Sequence, residues 1–458
     1  MTRIEELATF VTGKKFEDLS GEAVRELKIR LLDSLACAIG AQEGAPPRRI
    51  KAQLDDFGGN PLATLIGGGK TAPDRAAFYN SALVRYLDYN DSYLAKNETG
   101  HPSDNIGSVL AAAEYADRSG KDFLTALGVA YQVQCRLSDE APVRDKGFDH
   151  TVQGSYSAAA GASAALGLNA AQAANALAIA GTAYNALRVS RTGTLSNWKG
   201  LAFPSAGWTS THAAFLAMRG ITGPEEVFEG NKGFEESIAG PFYIDWRNED
   251  LERVNSTIIK KYNAEIHSQS TLEGVIELRE RHDIDPDTIE KIELNTFDVA
   301  YHIIGGGEEG DKKNIRTKEE ADHSLPYMIS AALLDGNVLP AQYKPERIRR
   351  GDIQSLLQKV EVREKQEYSD RFPGEEACDI TIHFKNGEAV SIEKHDYEGF
   401  HTRPASWDFI SEKFHHLAGP FVEPELEEQV VDLVRNFEQY QVTDLTALLA
   451  RVHPVAAS

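Results

Sequence analysis

The chain of 458 residues is longer than a usual single domain, which predicts a large core and a second, smaller domain. Its formal net charge of −22 argues against a nucleic acid or an anionic membrane as partner, because no excess of basic side chains exists to bind phosphates. The cysteines Cys37, Cys135 and Cys378 are too few and too far apart for a disulfide framework or a Cys-x-x-Cys metal site. The N-terminus lacks the pattern of a secretory signal, so we expect a cytoplasmic protein.

The first half of the chain, from residue 20 to about 265, has the pattern of successive amphipathic helices. Apolar residues recur there at spacings of three and four, and several segments end in a glycine, as helices commonly do. The clearest segments are GEAVRELKIRLLDSLACAIGA, DNIGSVLAAAEYADRSG, KDFLTALGVAYQVQCRLSDE, YSAAAGASAALGL, NAAQAANALAIAGTAYNAL and THAAFLAMRG. The surplus of Ala and Gly between residues 157 and 187 indicates helices that pack at short distance. This half is therefore predicted to be an all-helical bundle.

After residue 285 the sequence changes to the alternation of apolar and polar residues that half-buried strands show. This alternation occurs in IEKIELNTF, KVEVREK, CDITIHF and EAVSIEK, and Asn386-Gly387 between the last two predicts a hairpin. ELRERHDI and HSLPYMISAALLDG indicate helices beside these strands, and the C-terminal tail is helical again. We predict a mainly α fold, with an all-helical domain at 1–267, to which the helices of 405–458 return, and a smaller α+β domain at 268–404.

A polar stretch, YLDYNDSYLAKNETGHPSDN at residues 86–105, interrupts the helical half. Tyr86, Tyr89 and Tyr93 lie among its polar groups, and because bulky aromatic side chains prefer at least partial burial, a purely solvated loop is disfavoured. A functional pocket and a well-bonded structural loop both fit this composition. In a pocket, Asp88 and His101 could serve as an acid and base pair, because burial and a neighbouring charge can bring their pKa values toward neutrality.

Further segments carry candidate residues, each with a structural alternative. His150 in GFDHTVQGS could take part in catalysis, although a histidine before an Ala-rich helix is more often a cap or a core residue. Arg188, Arg191 and Lys199 would suit a substrate with several carboxylates, or form a basic surface loop. The segments AEIHSQS and ADHSLPYM add candidates that are individually more often structural: His267, Gln269, Asp322, His323 and Tyr327.

In order and spacing, these motifs resemble the MmgE/PrpD family. The resemblance is carried by LDYNDSY with GHPSDN, GFDHTVQGS, NWKG followed by RGITGP, AEIHSQS and ADHSLPYMISAALLDG, and it runs over nearly the whole chain. That family includes 2-methylcitrate dehydratases, cis-aconitate decarboxylases and iminodisuccinate epimerases. The resemblance implies a large helical domain, a smaller α+β lid domain, a homodimer, an active site in the cleft between the domains, and no metal or organic cofactor.

The resemblance also implies which residues act. The family's active-site positions fall on Asp88, Ser92, His101, His150, Lys199 and Tyr327, and His267 matches a further polar position. The sequence departs from the methylcitrate dehydratases in two places. The segment from Arg188 to Lys199 is shorter and differently composed, and Ser92 stands where Thr is common, so both departures leave the substrate open.

The function implied by this resemblance is that of a lyase acting on a small tricarboxylate. Dehydration of 2-methylcitrate or citrate by acid and base catalysis without a metal is the first expectation, with Asp88 and His101 transferring protons and His150 or Tyr327 as alternatives for one role. Decarboxylation of cis-aconitate is the alternative, followed by epimerisation of a dicarboxylate such as iminodisuccinate. A catalytically silent binding protein is the alternative outside enzymes. The expected substrate-binding residues are Ser92, Arg188, Arg191, Lys199, His267 and Gln269.

Overall fold

Helices make up most of the computed structural model, which describes residues 1–454. The chain divides into two compact units. Unit 1 comprises Met1–Ser190, Gly200–Thr257 and the residues from Ser406 onward, and unit 2 comprises Arg191–Lys199 and Ile258–Ala405. This architecture confirms the predicted mainly α class with a smaller α+β part.

The N-terminal part of unit 1 consists of helices and two short hairpins. Its helices are α1 (Arg3–Gly13), α2 (Gly21–Gly40), α3 (Ala45–Phe57), α4 (Pro73–Tyr86), α5 (Ile106–Tyr115), α6 (Gly120–Glu140), α7 (Thr151–Leu166), α8 (Ala170–Ala183) and α9 (Ala202–Met218). The hairpins pair β1 (Ala63–Thr64) with β2 (Lys70–Thr71) and β3 (Tyr93–Ala95) with β4 (Glu98–Gly100). Helix starts follow from the sequence: the hydroxyl of Ser20, for example, accepts a hydrogen bond of 3.0 Å from the amide of Ala23.

Helix α7 lies at the centre of this unit and packs against α5, α6, α8 and α9. Its small residues make this possible. A Cβ added to Gly161 would lie 2.7 Å from Val109 and 3.0 Å from Ala130, and one added to Gly154 would lie 2.4 Å from Phe203. The prediction of close packing from the Ala and Gly surplus is therefore confirmed, and the close approach fixes the helices that carry the candidate site residues.

Unit 2 is built around a four-stranded sheet with the order β6-β5-β7-β8. The strands are β5 (Ile289–Thr296), β6 (Val360–Glu364), β7 (Cys378–Phe384) and β8 (Ala389–Lys394). Strands β5 and β6 are parallel, and the other neighbours are antiparallel. The predicted hairpin is confirmed, because Asn386-Gly387 joins β7 to β8 and Gly387 has a φ of 86°.

Helices of unit 2 surround this sheet. They are α10 (Gln269–His282), α11 (Asp298–Ala300), α12 (Lys318–Ala321), α13 (Leu325–Asp335), α14 (Pro345–Ile348), α15 (Gly351–Leu356) and α16 (Gln366–Ser369). Helix α10 packs against β7 and β8, and buried apolar side chains such as Leu272, Ile292, Met328 and Ile380 form a common core.

One carboxylate of α10 joins three cations of unit 2. Glu273 lies 3.0 Å from Lys261, 2.8 Å from Lys394 and 2.9 Å from Arg403. Burial alone would raise the pKa of Glu273, but these cations lower it to about 2. The cluster therefore holds a buried charge that is satisfied from three directions.

The C-terminal helices α17 (Trp407–Ala418), α18 (Pro424–Arg435) and α19 (Val442–Leu449) belong to unit 1. Helix α17 packs against α2, and Lys413 of α17 lies 2.6 Å from Asp33 of α2. Lys413 also donates a hydrogen bond of 2.8 Å to the carbonyl of Tyr89, at the start of the polar segment. Across residues 1–454, no helix has both the length and the apolar composition that crossing a bilayer requires.

Candidate active site

The polar segment of residues 86–105 is buried in unit 1, except for the exposed Lys96 and Asn97, and is bonded internally. It begins where α4 ends, contains the hairpin of β3 and β4, and leads through the 3₁₀ turn Pro102–Asn105 into α5. The side-chain amide of Asn90 donates to Ser103 Oγ at 2.8 Å and to Asp104 Oδ1 at 2.9 Å. The segment is thus a well-bonded structure, and this bonding gives its remaining side chains fixed positions.

Asp88 has a backbone conformation that L-residues rarely adopt. Its φ is 56°, in the left-handed region that Asp and Asn tolerate better than most residues. Its carboxylate forms an ion pair with the buried guanidinium of Arg85, which also lies 3.6 Å from Asp104. Since arginine stays charged at physiological pH, Asp88 faces a permanent positive charge.

Asp91 supports the segment from within. Its Oδ1 accepts the amide of Ser103 at 3.1 Å, and its Oδ2 accepts the hydroxyl of Tyr131 at 2.7 Å. Burial raises the pKa of Asp91, although these hydrogen bonds oppose the rise. Tyr131 comes from α6, so Asp91 ties the polar segment to the core of the bundle.

His101 is held in one tautomer. Its Nδ1 lies 2.8 Å from the carbonyl oxygen of Asp91 and 3.1 Å from Ser92 Oγ. A carbonyl only accepts, so Nδ1 carries the proton, and Nε2 holds the lone pair when the ring is neutral. Ser92, predicted to bind substrate, therefore also contacts the imidazole that is predicted to transfer protons.

His150 lies beside His101. The centroids of the two rings are 5.6 Å apart, with the rings edge to face at 72°. His150 Nδ1 lies 3.3 Å from Asp149 Oδ1, and Asp149 Oδ2 accepts the hydroxyl of Ser190 at 3.2 Å. The structure thus brings together two histidines that the sequence placed in separate motifs.

Two connections hold the loop before His150. The amide of Arg188 donates to the carbonyl of Gly147 at 2.9 Å. The buried carboxylate of Glu98, on β4, accepts the amides of Val143 and Arg144, each at 3.1 Å. Burial raises the pKa of Glu98, although the amide of Val143 and the charges of Arg188 and Arg144 oppose the rise. Glu98 therefore links the hairpin that precedes His101 to the loop that precedes His150.

In unit 2, Lys199 belongs to a cluster around Asp322. Its Nζ lies 3.6 Å from Asp322 Oδ1 and 3.0 Å from His323 Nδ1, and Lys318 Nζ lies 2.6 Å from Asp322 Oδ2. Burial alone would raise the pKa of Asp322, but Lys199, Lys318 and His323 hold it well below its usual range. His323 Nδ1 is 2.7 Å from Asp322 Oδ1, so its proton points to this carboxylate and not to the ammonium of Lys199.

His267 and Glu265 form a second pair of imidazole and carboxylate in unit 2. His267 Nδ1 lies 2.7 Å from Glu265 Oε1. The amide of Glu265 donates to the carbonyl of Asp322 at 3.1 Å, which joins this pair to the cluster around Lys199. Lys199 and His267, two predicted binding residues, are therefore held by neighbouring carboxylates.

Three predicted residues have other surroundings. The hydroxyl of Tyr327 donates to the carbonyl of Gln342, and burial raises the pKa of Tyr327. The side chain of Gln269 accepts the amides of Lys261 and Tyr262, each at 2.9 Å, which braces the turn before α10. Arg191 is half-buried and begins the segment of residues 191–199 in unit 2. The roles assigned to these residues stay predictions.

Several residues that support these side chains were not predicted from the sequence to have a role: Glu98, Asp91, Tyr131, Asp149 and Glu265. Two of them had a local signal, since Asp149 precedes His150 directly and Glu265 stands two residues before His267. Tyr131 had none, because it is 40 residues away from its partner Asp91 along the chain.

Comparison with family models matches two consecutive domains. The MmgE/PrpD N-terminal domain matches residues 5–247, and the MmgE/PrpD C-terminal domain matches residues 262–439. The chain belongs to the MmgE/PrpD family. The resemblance read from the motifs is thereby confirmed, and the two matched domains of the MmgE/PrpD family account for most of the chain.

Curated relatives of this MmgE/PrpD protein have two different names. Cis-aconitate decarboxylase of Mus musculus is 27% identical, over 97% of this chain and 93% of the relative. 2-Methylcitrate dehydratase of Escherichia coli K12 is 28% identical, over 79% of each chain. The mitochondrial 2-methylcitrate dehydratase of Yarrowia lipolytica is 27% identical, over 93% of this chain and 85% of the relative. Because the identities to the decarboxylase and to the dehydratases are so similar, sequence identity does not favour either name.

Proposed function

We propose that the protein is a lyase that dehydrates 2-methylcitrate or citrate to an alkene of the cis-aconitate type. The observation that carries this proposal is the buried pair of His101 and His150, whose rings lie 5.6 Å apart. Dehydration needs two proton transfers, one from carbon and one to the departing hydroxyl, and paired titrating groups can serve both. The relatives named 2-methylcitrate dehydratase support the same reaction.

In the proposed reaction, Nε2 of His101 takes the proton from a carbon next to a carboxylate. The electron pair of the broken C–H bond forms the C=C bond, and the C–O bond breaks as His150 gives a proton to the hydroxyl, which leaves as water. Asp88 and Tyr327 remain candidates for the second role. The tautomer of His101, with its proton on Nδ1, suits the first step because the lone pair is then on Nε2.

The carboxylates of the substrate need cations. We assign this role to Lys199, Arg188 and Arg191, with His267 as a further donor. Stabilisation of developing charge by a well-placed donor is typically worth about 3 kcal/mol. Lys199 supports the assignment best, since it is a buried ammonium beside the carboxylate of Asp322 and the imidazole of His323.

Decarboxylation of cis-aconitate is the second candidate, favoured by the mouse relative that aligns with 97% of the chain. In that reaction the C–C bond to one carboxylate breaks, carbon dioxide leaves, and an acid such as His101 protonates the carbanion. Epimerisation of a dicarboxylate such as iminodisuccinate ranks third. A silent binding protein would be expected to lack Asp88, His101 or Lys199, and the chain has all three.

Incubation of the purified protein with 2-methylcitrate, citrate, cis-aconitate and 2-methyl-cis-aconitate separates the reactions. We expect a change in the ultraviolet absorbance of the conjugated alkene without release of carbon dioxide. Gas release without hydration or dehydration would instead select the decarboxylase. His101→Gln should lower turnover about a hundredfold or more, and Glu280→Gln, an exposed change in unit 2, serves as control. Unchanged turnover of His101→Gln would remove this histidine from the mechanism.

We further propose four properties of the protein that the sequence predicts. They are a cytoplasmic location, a homodimer, a reaction without metal or organic cofactor, and a division into domains near residues 267 and 404. Light scattering after size-exclusion chromatography tests the dimer. Treatment with a chelator should leave the activity unchanged, and a loss that added metal restores would contradict the cofactor proposal.

A further inference from the structure

Two hydrogen bonds join His267 to Glu265 within a single turn of unit 2. Glu265 Oε1 lies 2.7 Å from His267 Nδ1, and Glu265 Oε2 accepts the backbone amide of His267 at 2.8 Å. Glu265 is the N-cap of the 3₁₀ turn Ile266–Ser268, so both bonds form between residues of one short turn. The direction of the imidazole is therefore set locally.

Aromatic side chains keep the ring in this direction. The ring of His267 lies 5.8 Å from that of Phe297 and 5.7 Å from that of Phe372, and these two phenylalanines stack on each other at 4.8 Å. The side chain of His267 is fully buried. A 180° flip of the ring, which would put Cδ2 in the place of Nδ1 and Cε1 in the place of Nε2, would have to displace this packing.

The two ring nitrogens consequently have different surroundings. Nδ1 faces Glu265, whereas Nε2 is buried and has no hydrogen-bond partner among residues 1–454. A buried polar atom without a partner is uncommon in a folded protein and calls for an explanation. A ligand atom at Nε2 would provide the missing partner.

The charges around Glu265 keep it an acceptor. Burial alone would raise the pKa of Glu265, but His267, His323 and Lys260 lower it to about 2. Burial and the charge of Glu265 raise the pKa of Glu376, the other carboxyl nearby, well above its usual range. Glu265 is therefore the group in this cluster that accepts the proton of Nδ1.

We propose that Glu265 is a positioning residue for His267: it keeps a proton on Nδ1 and thereby makes Nε2 the atom that meets a carboxylate of the substrate. The choice of a carboxylate as ligand rests on the proposed function. When the carboxylate binds, the ring takes up a second proton from solvent, so that it donates Nδ1–H to Glu265 and Nε2–H to the substrate.

The first test reads the tautomer directly and needs no activity. In the wild-type protein with ¹⁵N-labelled histidine, the signals of His267 are assigned by their loss in His267→Gln. We expect a proton on Nδ1 in the ligand-free protein. A neutral ring with its proton on Nε2 would overturn the proposal, whatever reaction the protein catalyses.

The second test is Glu265→Gln, which keeps the shape and removes the charge. A glutamine can donate to Nδ1 as well as accept from it, so the fixed tautomer is lost. We expect KM to rise about tenfold or more with a smaller change in kcat. Glu265→Asp should restore part of the affinity because it restores the carboxylate.

Glu280→Gln, the same change at an exposed position, is the matched control and should leave KM and the tautomer of His267 unchanged. A folded Glu265→Gln protein with wild-type KM and tautomer would overturn the proposal. If Glu265→Gln does not fold, two other measurements test the proposal. A proton on Nδ1 in the wild-type protein and a KM of Glu265→Asp above that of the wild type would support it, and a neutral ring with its proton on Nε2 would overturn it. If the tautomer is as expected but no tricarboxylate is turned over, the proposed function fails and the positioning role stands.

Discussion

Removal of the ammonium of Lys413 should strongly reduce the free energy of unfolding of unit 1. The ammonium lies 2.6 Å from Asp33 and 2.8 Å from the carbonyl of Tyr89, and it sits 3.7 Å above the centre of the Tyr89 ring. Lys413→Met keeps much of the length of the side chain and removes the charge. Asp33 is then a buried carboxylate without its cation.

The expected loss follows from this geometry. Removal of one partner of a buried ion pair typically costs about 3–5 kcal/mol of the free energy of unfolding, because the other charge stays behind in the core. For a unit of this size, such a loss corresponds to a fall in Tm of roughly 5 to 15 °C. Loss of the bond to Tyr89 also frees the start of the polar segment, so activity should fall as well.

The loss of stability in Lys413→Met should depend on pH, and the pKa of Asp33 sets the direction. Burial raises the pKa of Asp33 above its value of 3.8 in the unfolded chain, although Lys413 opposes this, so removal of Lys413 raises it further. A raised pKa in the folded state means that stability falls as pH rises through the interval between the two values. The penalty of Lys413→Met should therefore be largest at neutral pH and shrink toward the unfolded pKa, where Asp33 is protonated.

Urea unfolding at about pH 7 and about pH 5 measures both effects. Asp33→Asn combined with Lys413→Met should be more stable than Lys413→Met alone, since no unpaired charge remains. Lys51→Met, which breaks the surface pair of Lys51 and Asp55, is the control and should cost less than about 1 kcal/mol. A loss below about 1 kcal/mol for Lys413→Met, or a loss that is equal at both pH values, would refute the reasoning.

Three further predictions concern single charges. Glu273→Gln should destabilise unit 2 by about 3 kcal/mol at neutral pH. The pKa of Glu273 is about 2 in the folded protein and 4.5 in the unfolded chain, so the stability of the wild-type protein should fall as the pH drops from 4.5 toward 2. Acid unfolding curves that coincide for the wild-type protein and Glu273→Gln would contradict this. Lys199→Ala should raise KM for 2-methylcitrate about tenfold or more with less effect on kcat, and a wild-type KM in steady-state kinetics would exclude its binding role. Glu98→Gln should lower the free energy of unfolding by about 1–3 kcal/mol, and it should lower kcat because Glu98 holds the loop that precedes His150. A variant with wild-type stability and wild-type kcat would show that this loop does not contribute to catalysis.

The strands of unit 2 were predictable from sequence because their signals are local. Ile289–Thr296 and Cys378–Phe384 alternate apolar and polar residues, and the resulting burial alternates in the same way. Asn386-Gly387 fixed the hairpin because few residues accept the backbone of such a turn. The helices of unit 1 were predictable for the same reason, since their apolar period does not depend on distant residues.

The contacts that hold the candidate site residues in place could not be predicted from the sequence. The tautomer of His101 depends on a backbone carbonyl, and no sequence pattern predicts which carbonyl that will be. The ion pair of Asp88 depends on a positive φ after α4. Residues 191–199 belong to unit 2 although both flanking segments belong to unit 1, and their local pattern is that of an ordinary basic loop.

The return of α17 to α2 has a consequence for biosynthesis. Lys413 follows Tyr89 by 324 residues. A ribosome that adds about 5–20 residues per second therefore needs roughly 15 to 65 s between the two. During that time the nascent N-terminal helices are exposed without the partner that completes their core. A premature stop codon just ahead of α17 would thus destabilise the N-terminal helices, although these helices were translated first.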